Sequence, residues 1–355
     1  MRGLRKVLTP FAPDQSGAVS VLYNLGGLIV IIDAGGCTGN VCGFDEPRWH
    51  GARAAVFSAG LRDMDAILGR DTLLVSKIAS AAERIDARFV ALVGTPVPAT
   101  IATDYKALKR MLEKKVNLPI LTLPTDGMKL YDSGESVAYK ELFETFAGDD
   151  VRASEGEELV LGATPLTYGD SYTDVTLEDI ESIRGRRLVA ASSSGIEAAR
   201  LTGKDYEIRS SLAEALLAKE KIEGKVLACH DEVFGKTLRD GGCDCDIATF
   251  FTLHDEIRQE GDIKITEEDE FTSLAMSGRY DVIIADNCLQ KLAKGYEGRW
   301  IDAPFLIHAH LQPHLGELVA YLFVVDLLQK TLHEFGVVVM SGLDVGIEDV
   351  GFSSA

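Results

Sequence analysis

Short, nearly uninterrupted apolar runs recur along the chain, and the stretches between them read as helices. In the first part the runs are Leu28 to Ile32, Ala54 to Phe57, Phe89 to Val93 and Ile120 to Leu123. Helices are expected from an N-cap at Ser16 to Leu25, from about Asp71 to Arg84, and from Asp104 to Lys115, with Gly26 and Gly27 ending the first. Strands apolar on both faces and alternating with helices predict a parallel sheet covered on both sides.

An acidic, glycine-containing stretch from Gly148 to Glu158 reads as a linker. A second, short unit follows, with a strand beginning at Leu159 and another from Arg187 to Ala191 that runs into Ser192-Ser193-Ser194-Gly195. It ends near Lys219 and is too short for a full α/β domain. The third unit opens at Glu223 and reaches Cys229-His230. It continues through strands Asp246 to Thr252, Tyr280 to Ala285 and Pro304 to Ile307, then a helix from Leu318 to Glu334 and a glycine-punctuated acidic tail. The expected division is 1–150, 156–220 and 221–355, with no internal repeat.

Composition narrows the function classes. A length of 355 residues, 46% hydrophobic and 26% charged, suits a globular protein with ample core. A formal net charge of −19 argues against nucleic acid or an anionic membrane as partner. The basic start, Met1 to Leu8, is followed by no apolar signal core, and Leu318 to Leu328 is too short to span a bilayer and contains Asp326. Cysteines 37, 42, 229, 243, 245 and 288 are too few for a disulfide scaffold in a chain of this size. A reducing, cytoplasmic compartment is expected.

The candidate chemistry gathers after Ile32, in a loop with Gly35, Gly36, Cys37, Thr38, Gly39, Cys42 and Gly43. Glycines let a backbone approach a ligand closely, and two thiols five positions apart can both reach one inorganic cluster. The same residues would also serve as a tight turn with two buried thiols. Asp45, Glu46, Arg48 and Trp49 follow, as a surface ion pair or as the surroundings of the loop. Cys229 and His230 end a strand, where open α/β sheets bind ligands, although a core Cys and a capping His fit as well. Cys243 and Cys245 read as packing residues or as a C-x-C metal site, and Cys288, which shares the sheet edge with Cys229, is a further site candidate. His308, His310 and His314 cluster after the last strand, as metal-binding or proton-donating imidazoles. The Ser192–Gly195 turn reads as a helix N-cap or an anion cradle. No phosphate loop, nucleophile elbow, H-E-x-x-H or dinucleotide fingerprint is present.

The cysteine loop, GGCTGN followed by GFDEPRW after SGAVSVLYNLGGLIVI, resembles the nitrogenase component 1 family in its short homo-oligomeric branch. The Gly94-Thr95-Pro96-Val97-Pro98 segment to Asp104 and the stretch from Tyr280 to Phe305 are similar to the family as well. The resemblance implies two to three Rossmann-like parallel-sheet units with the middle one reduced. It implies a homodimer in which Cys37, joined by Cys42, holds an iron–sulfur cluster shared between subunits. A separate ATP-binding, nitrogenase-reductase-like iron–sulfur protein would supply low-potential electrons. A small-molecule substrate would be reduced between the units, near Cys229, His230, His308 and His310. Two further cluster cysteines of the family fall near Ala12 or Pro13 and at Thr95, so a [4Fe–4S] cluster is expected rather than an eight-iron one. Asp45 is a further candidate ligand, because one branch of the family uses an aspartate. No cysteine lies between 43 and 228, which argues against a nitrogenase-type active-site cofactor. Two rival readings stay open: a carrier or scaffold for a metal cluster or tetrapyrrole without turnover, and a plain ligand-binding module.

Overall fold

A computed structural model of the chain describes residues 6–7, 11–46, 55–148, 157–164, 175–305 and 339–341. The first part runs through α1 (Asp14–Leu22), β1 (Leu28–Ile31), α2 (Gly36–Asn40), a π-turn (Val41–Asp45), β2 (Ala55–Ser58), α3 (Asp63–Leu68) and α4 (Asp71–Ala82). It continues through β3 (Val90–Val93), α5 (Pro96–Thr100), α6 (Tyr105–Leu112), β4 (Ile120–Leu123) and α7 (Tyr131–Phe146). These four strands lie parallel in the order β2-β1-β3-β4, with Leu28 opposite Ala55 on one side and Val90 on the other. A further strand, Val339–Ser341, pairs antiparallel with β2 at the edge. Period-two alternation sends Ile29, Ile31, Ala91 and Val93 into one apolar cluster and Leu28, Val30, Val90 and Leu92 into another. Both faces are therefore dry, which is why these strands read as unbroken apolar runs.

The middle part contains β5 (Glu158–Leu161), α8 (Leu177–Glu181), β6 (Arg187–Ala190), α9 (Ser193–Thr202), β7 (Tyr206–Ile208) and α10 (Ser211–Lys219). Its sheet has three parallel strands. The third part contains β8 (Val226–Cys229), α11 (Glu232–Asp240), β9 (Cys245–Thr249), β10 (Ile263–Lys264), α12 (Glu268–Ala275), β11 (Val282–Ala285) and β12 (Arg299–Asp302). Its strands are parallel in the order β10-β9-β8-β11-β12. The chain is a mixed α/β protein built on several parallel sheets, as expected. Among the described residues no helix is long and apolar enough to cross a membrane.

In the first and third sheets the chain starts inside, adds strands in one direction, then returns to add them on the other side. The reversals fall between β1 and β3 and between β8 and β11. A crevice opens beyond the carboxyl ends of the strands at such a point, and ligands bind there in open α/β sheets.

Helix α7 ties the parts together. Its start touches α1 backbone to backbone: a Cβ on Gly134 would lie 1.7 Å from the Asp14 carbonyl oxygen, and one on Gly17 2.0 Å from that of Tyr131. Its apolar side joins Tyr139, Leu142 and Phe143 to Leu22 of α1 and to Leu159, Leu161, Leu188 and Ala198 of the middle part in one continuous cluster.

Several sequence expectations are corrected. α1 begins at Asp14, directly after Pro13, and Ser16 lies buried inside it with its hydroxyl turned to Asp45 rather than capping the helix. The cysteine stretch is not a loop but helix α2 and the π-turn. β9 ends at Thr249, whose hydroxyl accepts the Phe251 N–H at 3.1 Å and bends the chain away from the ladder. Pro304 and Phe305 are irregular, and the edge strand is β12 instead. The helix expected over Leu318–Glu334, together with His308, His310 and His314, lies outside the described residues.

Candidate functional site

The crevice of the first sheet is lined from two directions, by the chain leaving β1 and by the chain leaving β3. Asp33, two residues past the end of β1, is buried, and its two carboxylate oxygens hold two elements. Oδ2 accepts the Thr38 N–H at 2.8 Å and Oδ1 accepts the Ser58 hydroxyl at 2.6 Å. The first bond satisfies an N–H that the start of α2 would otherwise leave open, in the manner of a helix cap. Gly35, at φ 117°, makes the turn that only a residue without a Cβ adopts freely. A helix with two glycines is thus held by a carboxylate anchored in the sheet rather than by its own propensity.

Asp33→Ala leaves the Thr38 N–H and the Ser58 hydroxyl without their acceptor. The expected cost is about 3 kcal/mol, read as a lower urea midpoint with an unchanged slope.

Cys37 sits in the first turn of α2, half-buried, and Cys42 lies buried in the π-turn. Here the Glu46 N–H reaches back five residues to the Val41 carbonyl at 3.0 Å. A turn widened in this way recurs at functional sites. Both side chains pack on the same apolar cluster under α1. Gly36, Gly39 and Gly43 occur at helical spacing, and a Cβ on any of them would meet none of the described residues within 4 Å. The helix therefore presents a bare backbone face to open space beside the thiols.

Three polar side chains complete the surroundings. Thr95, at the end of β3, donates to the Ile32 carbonyl at 2.8 Å and so bridges β1 and β3 across the crevice. Burial and the nearby Asp33 carboxylate push the Cys37 thiol above its usual range, while a hydrogen bond with Thr95 pulls it partly back. Ser16 donates to Asp45 Oδ2 at 2.7 Å. Asp45 is 2% exposed, and its other oxygen, Oδ1, is buried without a hydrogen-bond partner among the described residues. Burial raises the Asp45 carboxyl to about 6, against the pull of Ser16 and with a further push from Glu46. A cation bound nearby would reverse this electrostatic balance, favouring thiolate and carboxylate together.

The crevice of the third sheet is different. Cys229 ends β8 fully buried in an apolar cluster with Phe11, Phe250, Phe251 and Phe305, and that burial raises its thiol far above the usual range. His230 is 1% exposed and stacks on Phe305, centroids 4.3 Å apart and planes 14° from parallel, with Phe234 at 4.8 Å. Phe11 packs against Phe250 and Phe251 at 5.3 Å each and against Phe305 at 5.6 Å. These rings enclose Cys229 and His230. Cys288 follows β11, its N–H held by Asp286 at 2.7 Å, while Cys243 and Cys245 pack in the cluster on the opposite face. Ser192 proves to be an N-cap, accepting the Gly195 N–H at 3.2 Å.

The structure thus brings Cys37, Cys42 and Asp45 together with Asp33, Ser16 and Thr95. It places Cys229 and His230 in a separate cluster. Asp33 escaped the sequence reading, although a lone Asp directly after an apolar run was a usable signal. Among the described residues no group of three or more His, Cys, Asp or Glu side chains converges to hold a metal ion within one chain.

No family profile matches the sequence, and no curated protein sequence is significantly similar to it. Solved structures of nitrogenase Cp1 share the fold. A nitrogenase Cp1 structure at pH 6.5 superposes with a TM-score of 0.59 at 11% identity, covering 94% of this chain and 96% of the other. A nitrogenase Cp1 structure at pH 5 superposes with a TM-score of 0.57 at 13% identity, covering 91% and 89%. The architecture is the one expected from the cysteine stretch.

Proposed function

We propose that this chain is a nitrogenase-like oxidoreductase component, a homodimer that holds an iron–sulfur cluster between two copies of the α2 helix. The observation that carries the reading is the pairing of Cys37 and Cys42 with an open glycine face and a buried carboxylate oxygen that lacks a partner among the described residues. Two thiols per chain are too few for a four-iron cluster, which takes about four ligands. A two-fold axis beside Gly39 doubles them to four. The residues present fit the group: the thiols are soft donors, and beside them Asp45 Oδ1 is buried with no hydrogen-bond partner among the described residues. When bound, the cluster would accept and release single electrons at a potential set by burial and by hydrogen bonds to sulfur.

The chain's own residues have distinct tasks in this reading. Cys37 and Cys42 bind, Gly36 and Gly39 admit the second copy, and Thr38 and Asp33 fix the helix on the sheet. Thr95 and Ser16 tune the charge on Cys37 and Asp45. Low-potential electrons come from a separate ATP-dependent iron–sulfur reductase, and a small molecule is reduced. Cys229 as a cofactor contact, and His230, His308 and His310 as proton donors, belong to the same proposal.

The test is iron and sulfide content, with an EPR spectrum after reduction, on protein purified without oxygen. About four irons per dimer, lost in the Cys37→Ala, Cys42→Ala variant, is the expected result. Iron-free protein after reconstitution would sink the proposal and leave a ligand-binding protein of this fold. Iron without reductase-driven turnover would favour a cluster or tetrapyrrole carrier.

A further inference from the structure

Away from the thiols, the three sheets meet at a buried polar seam for which the proposed function has no use. Asp132, Glu135 and Tyr139 occur at helical spacing along α7, and each holds a loop of another part. Asp132 Oδ2 accepts the Thr252 N–H at 2.9 Å and its hydroxyl at 2.7 Å, from the chain after β9. Glu135 accepts the hydroxyl of Ser194 at 2.7 Å, from the start of α9, and that of Thr164, from the chain after β5. The Tyr139 hydroxyl accepts the Gly162 N–H at 2.8 Å. Beside them Asp231 caps α11 through the Val233 N–H at 2.9 Å and also accepts the Ser193 N–H of α9 at 3.1 Å. These bonds all run between elements that belong to different sheets, save the Asp231 cap of its own helix.

Glu135 is the centre of this seam, 0% exposed. Its own helix carries Asp132 and, farther along, Lys140, Glu141 and Glu144. The packed elements bring Asp14 from α1, Glu178, Asp179 and Glu181 from α8, and Glu197 and Arg200 from α9. The chain after β8 brings Asp231 and Glu232, and the chain after β9 brings His254. Several of these are already engaged: Asp14 holds backbone N–H groups of 126 and 127, Glu178 and Glu181 hold Arg88, Asp179 holds Arg186, and Arg200 holds Glu256. His254 is bound between Glu232 and Glu197. The charges that act on Glu135 are Asp132 and Asp231, both acids.

We propose that this α7 face is a proton-operated latch, in which protonated Glu135 holds the middle part against α7 and ionised Glu135 lets it go. An ionised carboxylate there would have no cation beside it among the described residues, next to two other acids, in a dry seam. Burial raises its carboxyl to about 8, against the pull of the Thr164 and Ser194 hydroxyls and with a smaller push from those acids. The sign follows from linkage. An acid whose pKa is raised on closing stabilises the closed form below its open-form value, and that advantage is lost as pH rises through the closed-form value. The opening constant therefore grows about tenfold per pH unit from roughly pH 5 to 8 and levels off above.

Hydrogen exchange read by mass spectrometry, corrected for the intrinsic rate at each pH, tests this on the full chain. Protection at the start of α9 (Ser193–Thr202) is expected to fall about tenfold per unit between roughly pH 6 and 8, while α4 (Asp71–Ala82) stays level. In Glu135→Gln, which keeps the side chain's shape and removes the ionisation, the α9 slope is expected to fall well below the parent's, the remainder coming from Asp231, whose carboxyl burial raises to about 7. A pH-independent α9 in the parent protein, or an unchanged slope in Glu135→Gln, would overturn the latch. Should Glu135→Gln fail to fold, the parent profiles of α9 and α4 decide alone. The outcome is independent of iron content, so the latch and the proposed function stand or fall separately.

Discussion

Gly134→Ala is expected to unfold the chain under conditions where the parent is stable. The added methyl would stand 1.7 Å from the Asp14 carbonyl oxygen, an atom of backbone that no rotamer change can move. Relief requires α1 and α7 to separate along their contact, and overpacking of this kind costs about 3 kcal/mol or more. Against a net stability of roughly 5–15 kcal/mol, that is a large fraction. The reciprocal contact, Gly17 on the Tyr131 carbonyl oxygen, predicts the same loss for Gly17→Ala. Denaturant titration by circular dichroism reads it directly. The internal control is Gly39→Ala, helical and facing open space, which should stabilise the chain by about 0.5–1 kcal/mol through helix propensity. Equal midpoints for Gly134→Ala and the parent would show that the two helices do not touch at this point.

Gly39→Trp should leave the fold intact and abolish assembly. Among the described residues nothing lies within 4 Å of a Cβ at Gly39, so the folded monomer meets no clash at the branch point. In a two-fold pair the same patch meets itself, and a ring introduced once appears twice at the axis. A bare-backbone contact cannot absorb two indoles. Sedimentation is expected to show a monomer, and bound iron to drop roughly tenfold or more, because four ligands then come from no single particle. Far-UV circular dichroism should match the parent, while the urea midpoint falls by the stabilisation that assembly and the bound cluster gave the parent. A Gly39→Trp protein that stays dimeric and keeps its iron would place the bridging contact elsewhere.

Much of the fold was legible because fully buried parallel strands leave an unmistakable trace. Ile120–Leu123 has the bounds its apolar run predicted, and β1 and β3 differ from theirs by one residue. Helix α7 left no such trace. Its buried side carries Asp132, Gly134 and Glu135 among the apolar residues, so the seam that it forms with the other parts erases the amphipathic pattern that would have revealed it. Edge strand β12 is equally faint, because exposed Arg299 and Asp302 frame a single fully buried position, Ile301. At the site, the thiols and glycines were visible because their chemistry is local in sequence. Asp33 and Ser16 were not read as parts of it, because only the fold brings the inside of α1 to the cysteines, and Thr95 entered only through the resemblance, as the position of a family cluster cysteine.

The apolar cluster that runs from the first sheet across α7 into β5, β6 and α9 has a consequence for how such a chain can be divided. Cutting the backbone after residue 148 would strip water-excluding cover from Leu142 and Phe143 on one fragment and from Leu159, Leu161 and Leu188 on the other. Each fragment would keep a core on the far face of its sheet but expose the face that α7 joins. The middle part therefore shares its interior with α7 and the first sheet and is not a free-standing module.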